Sequence, residues 1–498
     1  MHHPRRVAAL AAATLVLSAG AAAPALAKGN PNNSAKLTQA VTVDGVLEHL
    51  EAFQAIADEH GSRASGTAGY AASADYVQAQ LEAAGYEVER QEFPFDYWEL
   101  GASSLQQTSP STRTLEGVPM EYSPGGSAAG ELAAPADPLG CTAAAYAGAD
   151  LTGKVALVSR GSCTFSEKAL AAGAVGADAV IIYNNAPGPL NGTYGGLHPD
   201  HVPGFGITQD LGRELLAHTA AGPAAVDLSV EAVAYPSSTF NLIAETRTGR
   251  ADNVVMLGAH LDSVTDGPGI NDNGSGSAAI LETAIQLAEV NKLNNKVRFA
   301  WWGAEENGLL GSWAYVDSLS KQEKARITTY LNFDMVASPN YVIGVYDANE
   351  STHPAPDGVT IPAGSAQTEA VFTDYFDRTR QAWVDTEFSG RSDYQAFIEN
   401  GIPASGLFTG ADGVKTAREA EMFGGTAGIT YDPNYHTAAD DLANVNRTAL
   451  DIMSDAIAHA TITLAQDTSD INGKRSAGKS GKPHPQGDLH ARGELLAG

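Results

Sequence analysis

The C-terminal half of the chain carries imidazoles and carboxylates in short, separated segments whose residue types suit cation binding and proton transfer. His260 stands in Gly258-Ala259-His260-Leu261-Asp262, and Asp272 in the glycine-rich turn Gly269-Ile270-Asn271-Asp272-Asn273-Gly274. Glu305 and Glu306 come just after Phe299-Ala300-Trp301-Trp302, Asp334 directly after Tyr330-Leu331-Asn332-Phe333, and His436 lies in Asp432-Pro433-Asn434-Tyr435-His436-Thr437. Imidazole nitrogens and carboxylate oxygens are donors for a catalytic metal, and a further carboxylate can act as a general base. Singly, each reads as well as a hydrogen-bonded surface feature. Their common position beyond apolar, strand-like runs changes the weighing. In open α/β sheets, ligands bind in the crevice past the strand carboxyl ends. Stability alone gives no reason to gather carboxylates on one rim.

The elements that must deliver these residues are legible from periodicity. Apolar runs predict strands at 254–257, 297–302, 329–333, 342–346 and 404–408, and amphipathic patterns predict helices at 277–288, 309–319, 368–381 and 449–464. Such alternation implies an α/β fold with a mostly parallel central sheet. Upstream, Val46, Leu47, Leu50, Phe53 and Ile56 predict a helix, with Asp44 as its N-cap and Gly61 as its stop. A second helix around Tyr76, Val77 and Leu81 ends at Gly85, and a strand is expected over 86–95. Between 115 and 235 the texture becomes short strands (155–159, 179–183), Gly/Pro-rich turns and one Ala-rich helix at 167–175. That stretch reads as a separate module.

Bulk properties bound the setting. The basic residues before Val7, the apolar run to Ala23 and Ala25-Leu26-Ala27 fit a cleaved signal peptide over 1–27, so a secreted protein is expected. A polar linker is expected at 28–42 and a disordered tail at 468–498. Cys141 and Cys163 are the only cysteines, and in an exported chain an even pair is most simply a disulfide. The formal charge of −28 argues against nucleic-acid or anionic-membrane partners.

The order and wording of the His/Asp/Glu segments, together with Gly61-Ser62-Arg63-Ala64-Ser65-Gly66-Thr67, resemble the zinc aminopeptidase family of bacterial secreted leucine aminopeptidases and the aminopeptidase Y type. The match covers 43–115 and 236–467. Gly153-Lys154-Val155-Ala156-Leu157-Val158, Arg160-Gly161-Ser162-Cys163-Thr164-Phe165 and Gly173-Ala174-Val175-Gly176-Ala177 resemble a protease-associated (PA) domain, placed at 116–235. The resemblance implies a three-layer sandwich and two zinc ions, one on His260 and Asp334, the other on Glu306 and His436, with Asp272 bridging. It implies Glu305 as general base, Asp262 as the acceptor of the second imidazole N–H of His260, and Tyr435 as donor to the oxyanion. Met335, Gly390 and Arg391 are expected around the substrate. Relatives that brace the last His loop with a disulfide have cysteines where this chain has Asn434 and Ala439, so packing or hydrogen bonds must hold that loop. Calcium occurs in some relatives, but no acidic loop motif establishes it here.

The expected reaction is removal of large apolar, leucine-like residues from peptide N-termini by a monomer. A carboxypeptidase-like relative would need a basic cluster that Arg391 alone does not make. A non-catalytic, receptor-like relative would have lost ligands that are all intact.

Overall fold

The computed structural model describes residues 32–356 and 359–474; the leader lies outside them. Four strands form the parallel heart of the sheet, in the order Ala404–Phe408, Ile327–Phe333, Arg250–His260, Asn295–Trp302. Both faces are covered, which is why these strands read as near-continuous apolar runs. Side chains alternate between the faces. Val255, Leu257, Phe299, Trp301, Leu331 and Phe333 pack with Leu50, Phe53, Ile280, Leu281, Met453 and Ile457 from helices Val43–His60, Gly276–Leu287 and Arg447–Gln466. Met256, Trp302 and Tyr330 pack on the opposite face with Tyr315 and Phe397 from helices Leu310–Ser318 and Tyr394–Glu399. The result is the expected helix–sheet–helix sandwich. Its strands all end at the same rim, so their successor residues converge there.

Three local expectations are corrected. The first long helix begins one turn earlier, at Val43, because Thr42 and not Asp44 caps it: the Thr42 hydroxyl accepts the Gly45 N–H. Asp44 sits in the first turn, where its charge favours the helix dipole. Residues 28–42 are not all linker. Ser34–Ala40 forms a helix whose Leu37 is buried against the sandwich, with Asn33 as its cap. Its short pattern, with one large apolar residue, gives too little periodicity to detect. The start of the expected tail is also structured. Helix Ser469–Asn472 follows buried Thr468, and the Asn472 side-chain amide donates to Asn253 Oδ1 at 2.7 Å.

The largest departure concerns the module boundary. Strands Val88–Ser109 and Ala225–Glu245 pair antiparallel along nearly their whole lengths, from Val88↔Ala244 to Ser109↔Ala225. One end of this ribbon joins the central sheet through Ala225–Glu245 against Asn295–Trp302, and the other end pairs with strand Gly126–Ala133 of the module. Gly126–Ala133, Lys154–Ser159, Ala179–Tyr183 and Gly204–Ile207 then continue in parallel order. Strand Ala225–Glu245 therefore runs without a break across the expected boundary at 235/236, while Val88–Ser109 ends short of the one at 115/116. The module keeps its own core, centred on Val155, Leu157, Ile181, Phe205 and Val226. Cys141 and Cys163 form a disulfide within it.

Helix Ser34–Ala40 is pinned by His459, which is 6 % exposed, hydrogen-bonded to Ser34 Oγ at 2.7 Å and stacked on Tyr375. Burial, with help from the nearby Arg378 charge, pulls this imidazole down to about 4. The folded state thus disfavours the proton that the unfolded chain takes up near pH 6.5. Its contribution is complete above that pH and is lost as pH falls toward 4. Between pH 7 and 5 the loss is on the order of 2 kcal/mol. Thermal melts of wild type and His459→Gln at both pH values test this: the variant should lose less stability on acidification. Equal losses would refute it.

Candidate metal centre

The rim gathers the segments singled out by chemistry. Asp272 lies between the two imidazoles: its Oδ1 is 3.2 Å from His260 Nε2 and its Oδ2 is 3.1 Å from His436 Nε2. Asp334 Oδ1 is 3.3 Å from His260 Nε2, and Glu306 Oε2 is 3.1 Å from His436 Nε2. Glu305 Oε2 stands 3.8 Å from His260 Nε2. His260, Asp272, Glu305 and Asp334 are each no more than 8 % exposed. A tetrahedral zinc with ligands at ~2.0–2.2 Å spaces them by roughly 3.3–3.6 Å, close to the separations found here. Glu306 also presents a buried Oε1 with no hydrogen-bond partner. A carboxylate oxygen left so is costly unless a cation takes it. The donor set and its spacing fit zinc.

Each ligand is held from behind. Asp334 ends a directed hydrogen-bond chain. The Trp302 indole, a donor only, gives to Tyr330 Oη at 2.8 Å; Tyr330 gives to Asn332 Oδ1 at 3.1 Å; Asn332 Nδ2 gives to Ser392 Oγ at 2.8 Å; and Ser392 gives to Asp334 Oδ2 at 2.6 Å. The Asp272 turn is spliced to the end of the Asp334 strand by Asn273, whose Oδ1 accepts Met335 N–H while its Nδ2 donates to Phe333 C=O. Gly269 opens this turn at φ +61, and a Cβ there would lie 2.4 Å from the Asp272 carbonyl oxygen. Only glycine fits.

The His436 loop has no disulfide. Asp432 and Asn444 do that work instead. Asp432 accepts Asn434 N–H, Asn271 Nδ2 at 2.7 Å and Asn444 Nδ2 at 2.9 Å, while Asn434 Nδ2 donates to Asn444 Oδ1. Hydrogen bonds thus replace the covalent brace.

Asp262 faces His260 Nδ1 with two oxygens. The atom nearest His260 Nδ1 is the Asp262 main-chain oxygen, at 3.1 Å, with the carboxylate Oδ1 at 3.7 Å. The carboxylate accepts the backbone N–H groups of Glu305 and Glu306 at 3.3 and 3.4 Å. Both the ring's tautomer and the glutamate turn are therefore set by one residue.

The crowding of charge shows in the proton affinities. Burial opposes charge on His260, but Glu305 and Asp334 outweigh it and raise its pKa well above the usual histidine range. Burial likewise opposes charge on His436, yet Glu306 and Asp272 raise it to about 11. Burial raises Glu305 well above the carboxylate range, against the pull of His260 and with reinforcement from Asp334 and Glu306. Asp272, between two imidazoles, is held low although burial acts the other way. The pocket is built to be neutralised by cations.

A cavity of about 420 Å³ opens from these ligands past Met335, Tyr346, Arg391 and Phe408. Met335 and Arg391 line it. Gly390 does not: it turns the chain at φ +80 and donates its N–H to Tyr394 Oη. Neighbouring Ser389 and Ser392 face the cavity in its place. Arg391 pairs with Asp412 at 2.9 Å and donates to Tyr435 Oη at 3.3 Å, so its charge is already engaged. Since a guanidinium only donates, Tyr435 keeps its own proton free for the cavity.

The peptidase family M28 model matches residues 241–461 and the PA domain model residues 128–215. Leucine aminopeptidase 2 of Trichophyton rubrum is 41 % identical over 449 residues, 90 % of this chain and 88 % of that protein. The chain belongs to peptidase family M28. The aminopeptidase from Aneurinibacillus sp. strain AM-1 superposes with a TM-score of 0.71 at 29 % identity, covering 87 % of this chain and 96 % of the other. A zinc aminopeptidase from Bacillus subtilis gives 0.60 at 25 % identity, covering 87 % and 97 %. As an M28 member with an inserted PA domain, the protein is a metallo-aminopeptidase, a hydrolase of peptide bonds, and zinc is the metal its family implies. No helix among the described residues is long and apolar enough to cross a membrane.

Several residues of this M28 centre escaped sequence reasoning. Ser392 acts through a hydrogen bond to Asp334, and Asn273, Asp432 and Asn444 through hydrogen bonds that splice the ligand-bearing segments to one another, and no spacing announces them.

Proposed function

We propose that the protein is a secreted di-zinc aminopeptidase that removes large apolar, leucine-like residues from the N-termini of peptides and proteins. The observation that carries this reading is Asp272, whose two oxygens each face a different imidazole at 3.1–3.2 Å. His260 and Asp334 would hold one ion, Glu306 and His436 the other, with Asp272 shared. When bound, the pair would acidify a shared water and draw charge from the scissile carbonyl oxygen.

The chain's own residues supply the rest. Glu305 takes a proton from the attacking water and returns it to the leaving amine. Tyr435 directs its free O–H to the carbonyl oxygen as charge builds there. Glu305 and Asp334 present negative charge to the substrate's α-ammonium, which favours a free N-terminus. Met335, Tyr346 and Phe408 offer apolar surface to its side chain. The leader supports export, and the PA domain, residues 116–235 by sequence texture, flanks the centre without adding a ligand to this set.

Purified protein should contain two zinc ions per chain, lose activity on chelation, and hydrolyse Leu-p-nitroanilide while sparing N-acetyl-Leu-p-nitroanilide. Hydrolysis of only the blocked substrate, or full activity after chelation, refutes the proposal.

A further inference from the structure

The turn that carries Asp272 is gripped from two sides by buried groups of opposite charge to which the mechanism above gives no part. Arg63 is wholly buried. Its guanidinium donates to three main-chain carbonyls: Nε to Pro268 at 2.9 Å, Nη2 to Gly269 at 2.5 Å, and Nη1 to Leu261. One planar cation thus joins the residue after His260 to the two residues that open the Asp272 turn. On the other side, the Asp440 carboxylate accepts the N–H groups of Asn271 at 2.9 Å and Asp272 at 3.0 Å, and its main-chain oxygen accepts Ile270 N–H. Asp440 lies four residues beyond His436 and is itself fixed by Asn444 Nδ2 at 3.0 Å.

The polarity of this arrangement is informative. The carbonyls of Pro268 and Gly269 point to a cation and the N–H groups of Asn271 and Asp272 point to an anion, so the two charges orient successive peptide dipoles of one turn. The Gly269–Ile270 peptide between them is held at both ends, by Arg63 and by the Asp440 main-chain oxygen. Asp262, Asp272, Glu306 and Asp440 all lie within electrostatic reach of the guanidinium, yet its hydrogen bonds are to backbone and its face lies over the Phe53 ring. A residue present only to fill space would not bring a charge into the interior. The fork geometry that reaches three carbonyls at once is available to arginine and not to lysine.

Building on the two-ion reading, we infer that Arg63 and Asp440 are paired positioning residues that set where the Asp272 carboxylate lies between His260 and His436. Arg63 fixes the turn to the His260 strand, and Asp440 fixes the same turn to the His436 loop. Their joint effect is the separation of the two metal sites. Loss of either should let the bridging carboxylate drift toward one site, weakening the other.

The test uses the full chain as wild type, Arg63→Met, Arg63→Lys, Asp440→Asn and the Arg63→Met/Asp440→Asn double variant. Zinc stoichiometry in buffered zinc, kcat and KM on Leu-p-nitroanilide, and circular dichroism are read for each. In folded Arg63→Met the affinity for one of the two ions should fall at least about tenfold and kcat by about 10- to 100-fold, with KM changed less than about threefold. Added zinc should recover part of kcat, and Arg63→Lys should lose less than Arg63→Met. The double variant should lose less than the product of the single losses, because both act on one turn. Should Arg63→Met not fold, Arg63→Lys and Asp440→Asn carry the same readouts. Two ions bound in wild type, with occupancy and kcat unchanged in the folded variants, overturn this inference alone. A wild-type chain binding a single ion overturns the two-ion reading and this inference together.

Discussion

Replacing Glu305 with Gln is expected to leave zinc content intact and to lower kcat by roughly 10²- to 10⁴-fold, the range lost when a general base is removed. The amide keeps the size and shape of the carboxylate, and the backbone N–H that Asp262 holds is unchanged. What disappears is the capacity to accept a proton at a position 3.8 Å from His260 Nε2, in the midst of the ligands. KM should rise as well, because Glu305 shares with Asp334 the negative charge offered to the α-ammonium, but the loss in kcat should dominate. Metal analysis beside steady-state kinetics separates this outcome from its neighbour, Glu306→Gln, which should lose an ion because Glu306 Oε2 faces His436 at 3.1 Å. A near-wild-type rate in Glu305→Gln with zinc bound would show that another group carries the proton.

Asp272→Ala should have the greater effect on the metal itself. It removes the one carboxylate that faces both imidazoles, so neither site keeps its full donor set. We expect bound zinc to drop below two per chain and kcat/KM to fall by on the order of 10³-fold, equivalent to about 4 kcal/mol of transition-state stabilisation. His436→Ala should be more selective, lowering occupancy at the site it shares with Glu306. Equal zinc content and rate in Asp272→Ala and wild type would refute the shared role. Chelator titrations followed by activity and metal analysis give the comparison directly.

Much of this architecture was legible because burial leaves a local trace. Strands covered on both faces must be apolar throughout, and the predicted strand at 404–408 matches Ala404–Phe408 residue for residue. The strand carrying His260 is longer than predicted, Arg250–His260, because its first residues, Arg250, Ala251 and Asp252, form an exposed or half-exposed end with no run of apolar side chains. The ribbon Val88–Ser109 with Ala225–Glu245 was largely missed. Its middle is exposed on both strands, so the alternation that marks a half-buried strand fades there. The Thr42 cap was missed because Thr and Asp are both good N-caps, and only backbone geometry decides between them.

The segments with which the sequence analysis began divide along the same line. Residue types and order determined which side chains could bind a cation or move a proton, that apolar strands would carry most of them to one rim, and that the family is that of zinc aminopeptidases. The first two follow from residue type and periodicity and the third from a resemblance in motifs, and none needs coordinates. Tertiary structure alone decided how the donors face one another. It placed Asp272 between imidazoles 176 residues apart (436 − 260), turned the Asp262 carboxylate toward the glutamate backbone, and put Asp432, Asn444 and Asp440 behind the His436 loop. Local sequence encodes the elements, because burial and backbone preference act over a few residues. The meeting of carboxylates and imidazoles is set by packing across the whole sheet, where hydrogen bonds between distant segments fix the final ångström.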